Sequence, residues 1–192
     1  LKRPASFSGY FDDKDRKIKV YGEFPYVSYN GFTLHQGRLF CDSPEDAITC
    51  RLSGITQMKN GSSLNLSLDL KASNDKLTTA LNWGNNTAMT YSGQIASVAT
   101  FAKSTKSIKA NVRFNQSDII LGDSIWRMYP STLKIDSGCV YINNILIKHR
   151  DQYIKILGKA SKSDVDSIKV NLNKVDLAYI FDVVNFKSVD FG

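Results

Sequence analysis

Hydrophobic and polar residues alternate with a period of two along much of the chain. In the clearest segment Leu64, Leu66, Leu68 and Leu70 occupy every second position, with polar residues between them. Successive side chains of a β-strand point to opposite faces of the sheet, so this pattern predicts a strand with one apolar and one polar face. The same alternation predicts further strands around Ile18 and Val20, 77–83, 108–115, Leu133 and Ile135, Val140 and Ile142, Ile154 and Ile156, and 168–173.

The predicted strands recur about every ten residues and are separated by residues typical of turns. Ser73-Asn74-Asp75 and Asp136-Ser137-Gly138 are two of these joints. Asn, Asp and Gly tolerate the positive φ that tight turns require. The spacing predicts about a dozen strands in an up-and-down antiparallel meander, and no linker interrupts it. We therefore expect an all-β fold with residues 1–192 as a single unit.

One segment near the C-terminus departs from this alternation. Asp176 is a suitable N-cap, and the apolar residues after it are spaced as on one side of a helix. These residues are Leu177, Ile180, Phe181 and Val184. We therefore expect one short helix there, covering the end or the apolar face of the sheet.

The apolar faces of a dozen strands can be covered in three ways. The sheet can fold onto itself as a sandwich, close into a barrel, or curl lengthwise into an elongated groove lined by its apolar face. The alternation alone does not choose among them. The same inward residues would line the groove or fill a sealed core: Leu64, Leu66, Leu68, Leu70, Ile108, Val112, Phe114, Leu133, Ile135, Val140, Ile142, Ile154, Ile156, Ile168, Val170 and Leu172.

Composition narrows the function classes. The 192 residues carry a net charge of +7, and 42% of them are hydrophobic. No apolar run approaches the roughly 18–20 residues that a membrane-spanning helix needs. A sequence pI of about 9.3 is typical of proteins that bind nucleic acid. The positive charges are, however, dispersed along many strands, often beside Asp or Glu, so we expect no nucleic-acid partner.

The sequence contains few of the residues and motifs that are typical of catalytic sites. It has two histidines, His35 and His149, and neither belongs to a zinc-binding motif. A nucleophile elbow and glycine-rich phosphate-binding loops are also missing. We therefore expect no enzyme activity, no metal and no cofactor.

Two of the three cysteines are candidates for a disulfide. Eight residues separate Cys41 from Cys50, and they include the turn formers Asp42-Ser43-Pro44. Flanking strands can bring two such cysteines opposite each other at a spacing that suits a disulfide. The alternative is that both, like Cys139, are small apolar residues of the interior.

The second half of the chain carries short motifs in a fixed order. Trp126 precedes residues 130–138, which read P-S-T-L-K-I-D-S-G. The stretches 140–144, 151–158 and 176–180 follow, reading V-Y-I-N-N, D-Q-Y-I-K-I-L-G and D-L-A-Y-I. This order resembles the TamB family, the translocation and assembly module inner-membrane components, in the form found in Bacteroidetes-type bacteria.

Other parts of the chain extend the resemblance. Residues 189–192 read V-D-F-G, a recurrent motif of that family, and the stretches 8–12 and 81–87 fit more loosely. The likeness covers essentially the whole chain and is strongest over its last ninety or so residues. Its motifs are those of a fold rather than of a catalytic site.

The resemblance implies a fold, a place and a set of partners. TamB-like proteins are anchored in the inner membrane, cross the periplasm and are directed at an outer-membrane barrel protein of the Omp85 class. Their body is a curled β-sheet with a hydrophobic groove, as in AsmA-like and bridge-like lipid transfer proteins. The implied roles are phospholipid passage between the two membranes and support of outer-membrane protein assembly.

The ends of the chain suggest a piece of a longer protein. The sequence begins at Leu1 without a methionine and stops at Gly192, so we expect a segment of a larger periplasm-spanning protein. Such a piece presents unpaired strand edges, and unpaired edges readily pair with other strands. We therefore expect edge-to-edge self-association at high concentration.

A passive β scaffold or adhesin repeat with a sealed core is the alternative function.

Overall fold

A computed structural model describes residues 4–29, 32–58, 61–85, 90–102, 107–163 and 165–176. Within these ranges the chain is all-β, as predicted, and forms one antiparallel sheet of fourteen strands. The strands are β1 (Ser6–Asp12), β2 (Lys17–Tyr29), β3 (Phe32–Asp42), β4 (Ile48–Gln57), β5 (Ser63–Ser73), β6 (Lys76–Gly84), β7 (Thr90–Ala102), β8 (Lys109–Phe114), β9 (Ser117–Gly122), β10 (Ser124–Met128), β11 (Ser131–Asp136), β12 (Cys139–His149), β13 (Gln152–Ala160) and β14 (Ile168–Asn173).

Fourteen strands occupy only twelve positions across the sheet. β8 and β9 follow each other along the same side of β7, interrupted at Asn115 and Gln116. β11 and β10 likewise follow each other along β12. Strand positions that are adjacent in the sheet are therefore also consecutive in the sequence, which gives an up-and-down meander. At about 4.8 Å per position, the sheet extends roughly 55 Å along its hydrogen-bonding direction.

Turn chemistry explains where the chain reverses. Asn74 and Asp75 both have positive φ, 48° and 58°, and link β5 to β6. Ser137 and Gly138 do the same between β11 and β12, with φ of 53° and 80°. Two positive-φ residues match the right-handed twist of the flanking strands, which is why two-residue hairpin turns favour them.

The sheet is open and thin. Among the described residues, β1 pairs only with β2, and β14 pairs only with β13, so both edges are free. A sheet folded onto itself as a sandwich would bury its inner face. Among the described residues only six hydrophobic side chains are buried: Leu34, Tyr91, Ala99, Ala110, Trp126 and Met128.

The expected helix after Asp176 lies outside the described residues, beyond Asp176 itself. In the part of the chain that the structure describes, no helix is long and apolar enough to cross a membrane.

Candidate functional site: the apolar face of the sheet

Strand register places the four leucines of β5 in a row that continues across neighbouring strands. Leu68 lies opposite Leu52 of β4 and Leu81 of β6. Leu81 in turn lies opposite Ile95 of β7. Directly opposed residues of antiparallel strands share a face of the sheet. We call this face the apolar face and its reverse the polar face.

The same face continues through the second half of the sheet. Val112 of β8 lies opposite Ala99 of β7 and Leu133 of β11. Leu133 lies opposite Ile142 of β12. The row then reaches Gly158 of β13, which is opposite both Ile142 and Ile168 of β14.

A bulge in β12 keeps the apolar residues of β12 and β13 on the same face of the sheet. The register shifts between Ile142 and Ile145, where β12 carries one more residue than β13. The shift leaves Ile145 opposite Ile156 and Ile147 opposite Ile154. All sixteen residues expected to line the groove therefore belong to the apolar face, with Ile108 just before the start of β8.

None of these sixteen side chains is fully buried. Twelve are half-buried, and the other four are exposed. The exposed ones are Ile108 and the three β14 residues Ile168, Val170 and Leu172. A face covered by a second protein layer would hide such residues almost completely.

The apolar face also contains residues that the alternation did not reveal. Ile119 lies opposite Trp126, and Met128 lies opposite Ile147. Ile119 belongs to the continuous apolar run Ile119-Ile120-Leu121, which has no period-two signal. Trp126 and Met128 flank an arginine, a three-residue alternation that is a weak signal by itself.

The deepest burial on this face lies around β9, which pairs with β7 on one side and with β10 on the other. Trp126 and Met128 are 2% and 3% exposed, and Tyr91 is 4% exposed. The Asn85 side-chain carbonyl accepts a hydrogen bond from the Tyr91 amide at 2.7 Å. The indole N–H of Trp126 and the Ser131 hydroxyl are buried without a hydrogen-bond partner among the described residues.

The polar face carries a network across four strands. Arg51 of β4 is ion-paired with Asp69 of β5. The Asn82 amide of β6 donates to Asp69 at 3.5 Å, and Gln94 of β7 donates to the Asn82 oxygen at 2.6 Å. This network links the strands from the side opposite the leucine row.

Further ion pairs on the polar face stabilise charged carboxylates. Arg127 binds Asp118 through two hydrogen bonds of 2.9 and 3.3 Å, which lowers the pKa of Asp118. The Ser137 hydroxyl donates to Asp136 at 2.9 Å, and this bond, followed by the Lys109 ammonium, lowers the pKa of Asp136. These groups are open to solvent, so each contributes little to stability.

Cys41 and Cys50 lie directly opposite each other across β3 and β4, with Cα atoms 4.1 Å apart, and are joined in a disulfide. They sit on the apolar face beside Leu39 and Leu52, which are also opposed. Cys139 is a free thiol and is half-buried.

Cavities in the described residues are shallow surface depressions. The one at the end of β10 and β12 has a volume of about 490 Å³ and is lined by Ile125, Arg127, Tyr129, Lys148, His149 and Arg150. Within the described ranges, no group of three or more His, Cys, Asp or Glu side chains is arranged to hold a metal ion.

Comparison of the chain with protein-family models, with curated proteins and with solved structures gave no match in any of the three.

Proposed function

We propose that this chain is a segment of a periplasmic bridge that shields phospholipid acyl chains against its apolar face during transport between the inner and outer membranes. In this proposal the full-length protein is anchored in the inner membrane, and regions outside the chain contact an Omp85-class barrel protein. The bridge supplies lipid to the outer membrane, supports outer-membrane protein assembly, or does both.

One observation carries the proposal: an apolar face runs from β3 to β14 and has no second protein layer over it among the described residues. Leu68, Val112 and Ile142 are representative, being aliphatic and half-buried. Water in contact with such a face is costly, at about 25 cal/mol per Å². An extended apolar ligand would remove that cost, and a face built of similar aliphatic residues would let the ligand slide.

Differences in exposure between the two faces support a curl toward the apolar one. In β8 the apolar-face residues Ala110 and Val112 are buried and half-buried, whereas Lys109, Asn111 and Arg113 on the polar face are exposed. A concave face crowds its side chains together, and a convex face spreads them. The alternation of burial therefore fits a trough whose inside is apolar.

The energetics of an acyl chain explain why such a trough is needed. An exposed methylene costs about 0.8 kcal/mol, so a sixteen-carbon tail costs roughly 13 kcal/mol in water. A trough covering about half of the tail would remove about half of this cost. The charged headgroup would remain at the open rim in water.

The disulfide supports the proposed compartment. Cys41 and Cys50 are bonded within the sheet, and disulfides persist in oxidising compartments such as the bacterial periplasm.

Photo-crosslinking in living cells tests the proposal with neighbouring residues as matched controls. A photoreactive residue replaces Leu66 or Val112 on the apolar face, or the adjacent Asn65 or Arg113 on the polar face. We expect phospholipid adducts only at Leu66 and Val112. Equal adducts at all four positions, or none at any, would contradict the proposal, and absence would favour a passive β module.

A further inference from the structure

Three basic residues converge at one end of the sheet although the sequence disperses its positive charge. β10 and β12 are antiparallel, and Arg127 lies directly opposite Lys148. The turn that follows β12 adds Arg150, which has a φ of 54°. Like charges placed directly opposite each other on a sheet destabilise it. Their juxtaposition therefore requires compensation, either by acidic side chains or by an anionic ligand.

Neighbouring carboxylates compensate only part of this charge. Asp118 binds Arg127 through Nε and one terminal nitrogen, which leaves three of its five guanidinium N–H groups free of that pair. Asp151 is ion-paired with Lys174. Among the described residues, Lys148 and Arg150 form no ion pair, and the cavity lining contains no carboxylate.

The remaining walls of the cavity are fixed and hydrogen-bonding. His149 Nδ1 donates to the Ile125 carbonyl at 2.8 Å, which holds the imidazole in place. The same ring lies 5.6 Å from the Trp126 ring on the apolar face. Tyr129 also lines the cavity.

We propose that this cavity, lined by Arg127, Lys148, Arg150, His149 and Tyr129, binds a phosphate group. Arginine and lysine are the side chains that proteins use most for phosphate oxygens. A volume of about 490 Å³ is ample for a phosphate and part of its substituent.

The position of the cavity suits a phosphate attached to an acyl chain. It lies at the strand ends, near the turn of Gly122 and Asp123 and the turn of Arg150 and Asp151. Trp126 and Ile147 carry the apolar face up to this rim. The cavity is lined mainly from the polar face, so the tail of a headgroup bound there would pass around the strand ends to reach the apolar face. The proposal of a phosphate site depends only on the cluster of basic residues. The proposal that the phosphate belongs to a lipid depends on the proposed function.

Nuclear magnetic resonance titration of the 192-residue chain tests the site with three probes. These are inorganic phosphate, monomeric dihexanoylphosphatidylglycerol, and a neutral hexyl glucoside that lacks phosphate. We expect both phosphate-containing probes to shift the amide signals of Lys148, His149 and Arg150. The double variant Lys148→Gln/Arg150→Gln should weaken binding at least about tenfold, and Lys148→Gln alone should weaken it measurably.

A matched control removes two charges elsewhere on the polar face. Lys71 and Lys169 are exposed and do not line the cavity, so Lys71→Gln/Lys169→Gln should leave the affinity for phosphate unchanged. Equal loss in both double variants would show a general charge effect and overturn the site. The absence of shifts at residues 148–150 with either phosphate probe would overturn it as well.

The three probes separate this site from the proposed function. Tighter binding of the phospholipid than of inorganic phosphate, with added shifts at Leu68 and Val112, supports a lipid headgroup site. Equal affinities without shifts on the apolar face support a site for free phosphate and count against the lipid bridge. Hexyl glucoside reports on the apolar face alone, because it has no phosphate.

Discussion

The two faces of the sheet are stabilised by different interactions. On the apolar face, rows of aliphatic residues contact one another across strands, and Cys41 and Cys50 add a covalent link. On the polar face, ion pairs and amide hydrogen bonds connect the strands, as from Arg51 through Asp69 to Asn82. In the described strands the ion pairs named above thus lie on one face of the sheet, and the opposite face is lined by apolar residues.

Loss of the disulfide should have the largest effect on stability. It closes a loop of about ten residues, and the chain-entropy model gives about 2–3 kcal/mol for a loop of that size. We expect Cys41→Ser/Cys50→Ser to lower the free energy of unfolding by that amount in urea titrations. The control is Cys139→Ser, which removes a free thiol and should change stability by less than about 0.5 kcal/mol. Equal stability of both variants would show that the link is not formed in solution.

Placing a charge on the apolar face should have the next largest effect. Leu68 is half-buried among leucines of neighbouring strands, so Leu68→Asp should cost about 1–2 kcal/mol of stability. The chain should remain folded by circular dichroism, while binding of a neutral amphiphile falls at least about tenfold. Asn65→Asp adds the same charge to the polar face and should spare binding. Outright unfolding of Leu68→Asp would indicate a sealed core.

The free edges should produce a weaker effect that depends on concentration. β1 and β14 each present one unpaired edge among the described residues, and such edges pair with other strands. We expect sedimentation equilibrium to detect dimers and larger species as the chain approaches millimolar concentration. Val170→Pro in β14 removes an edge donor and should reduce association. A strict monomer at millimolar concentration would contradict the prediction.

Protonation of the carboxylates should have the smallest effect on stability, and it should appear as a dependence of stability on pH. Ion pairing and hydrogen bonding lower the pKa values of Asp118, Asp136 and Asp151. A lowered pKa means that the folded state holds fewer protons, so this stabilisation is present above the ordinary value of 3.8 and is lost as the pH falls below it.

Thermal unfolding between about pH 6 and about pH 2.5 measures this loss, and the Asp118→Asn variant should show a shallower decline. Binding of a neutral amphiphile should stay constant from about pH 5 to about pH 8, because the leucine rows do not titrate. A change of amphiphile affinity within that range would show that charged groups also contribute to the apolar face.

Strict alternation makes much of the fold predictable. The rows through Leu68, Val112 and Val170 are visible in the sequence because polar and apolar residues change places at every step. The turn at Asn74 and Asp75 is also predictable, because Asn and Asp tolerate the positive φ that both residues adopt. The split of one strand position into β8 and β9 was not predictable, because β9 contains the continuous apolar run Ile119-Ile120-Leu121, which does not alternate.

The basic cavity could not be predicted for a different reason. Lys148, His149 and Arg150 are consecutive in the sequence, which is the one local signal of a basic cluster. Arg127 joins them only through the register of β10 and β12. That register continues the pairing of β11 with β12 and joins residues that are far apart in the sequence.

The meander gives the sheet a natural unit of growth. Because each strand position pairs with its neighbours in the chain, one added hairpin extends the sheet without disturbing any existing pair. Two positions add about 10 Å, so the number of hairpins sets the length of the sheet. Its length can therefore change in small steps, while the alternation that gives one apolar and one polar face stays the same along the sheet.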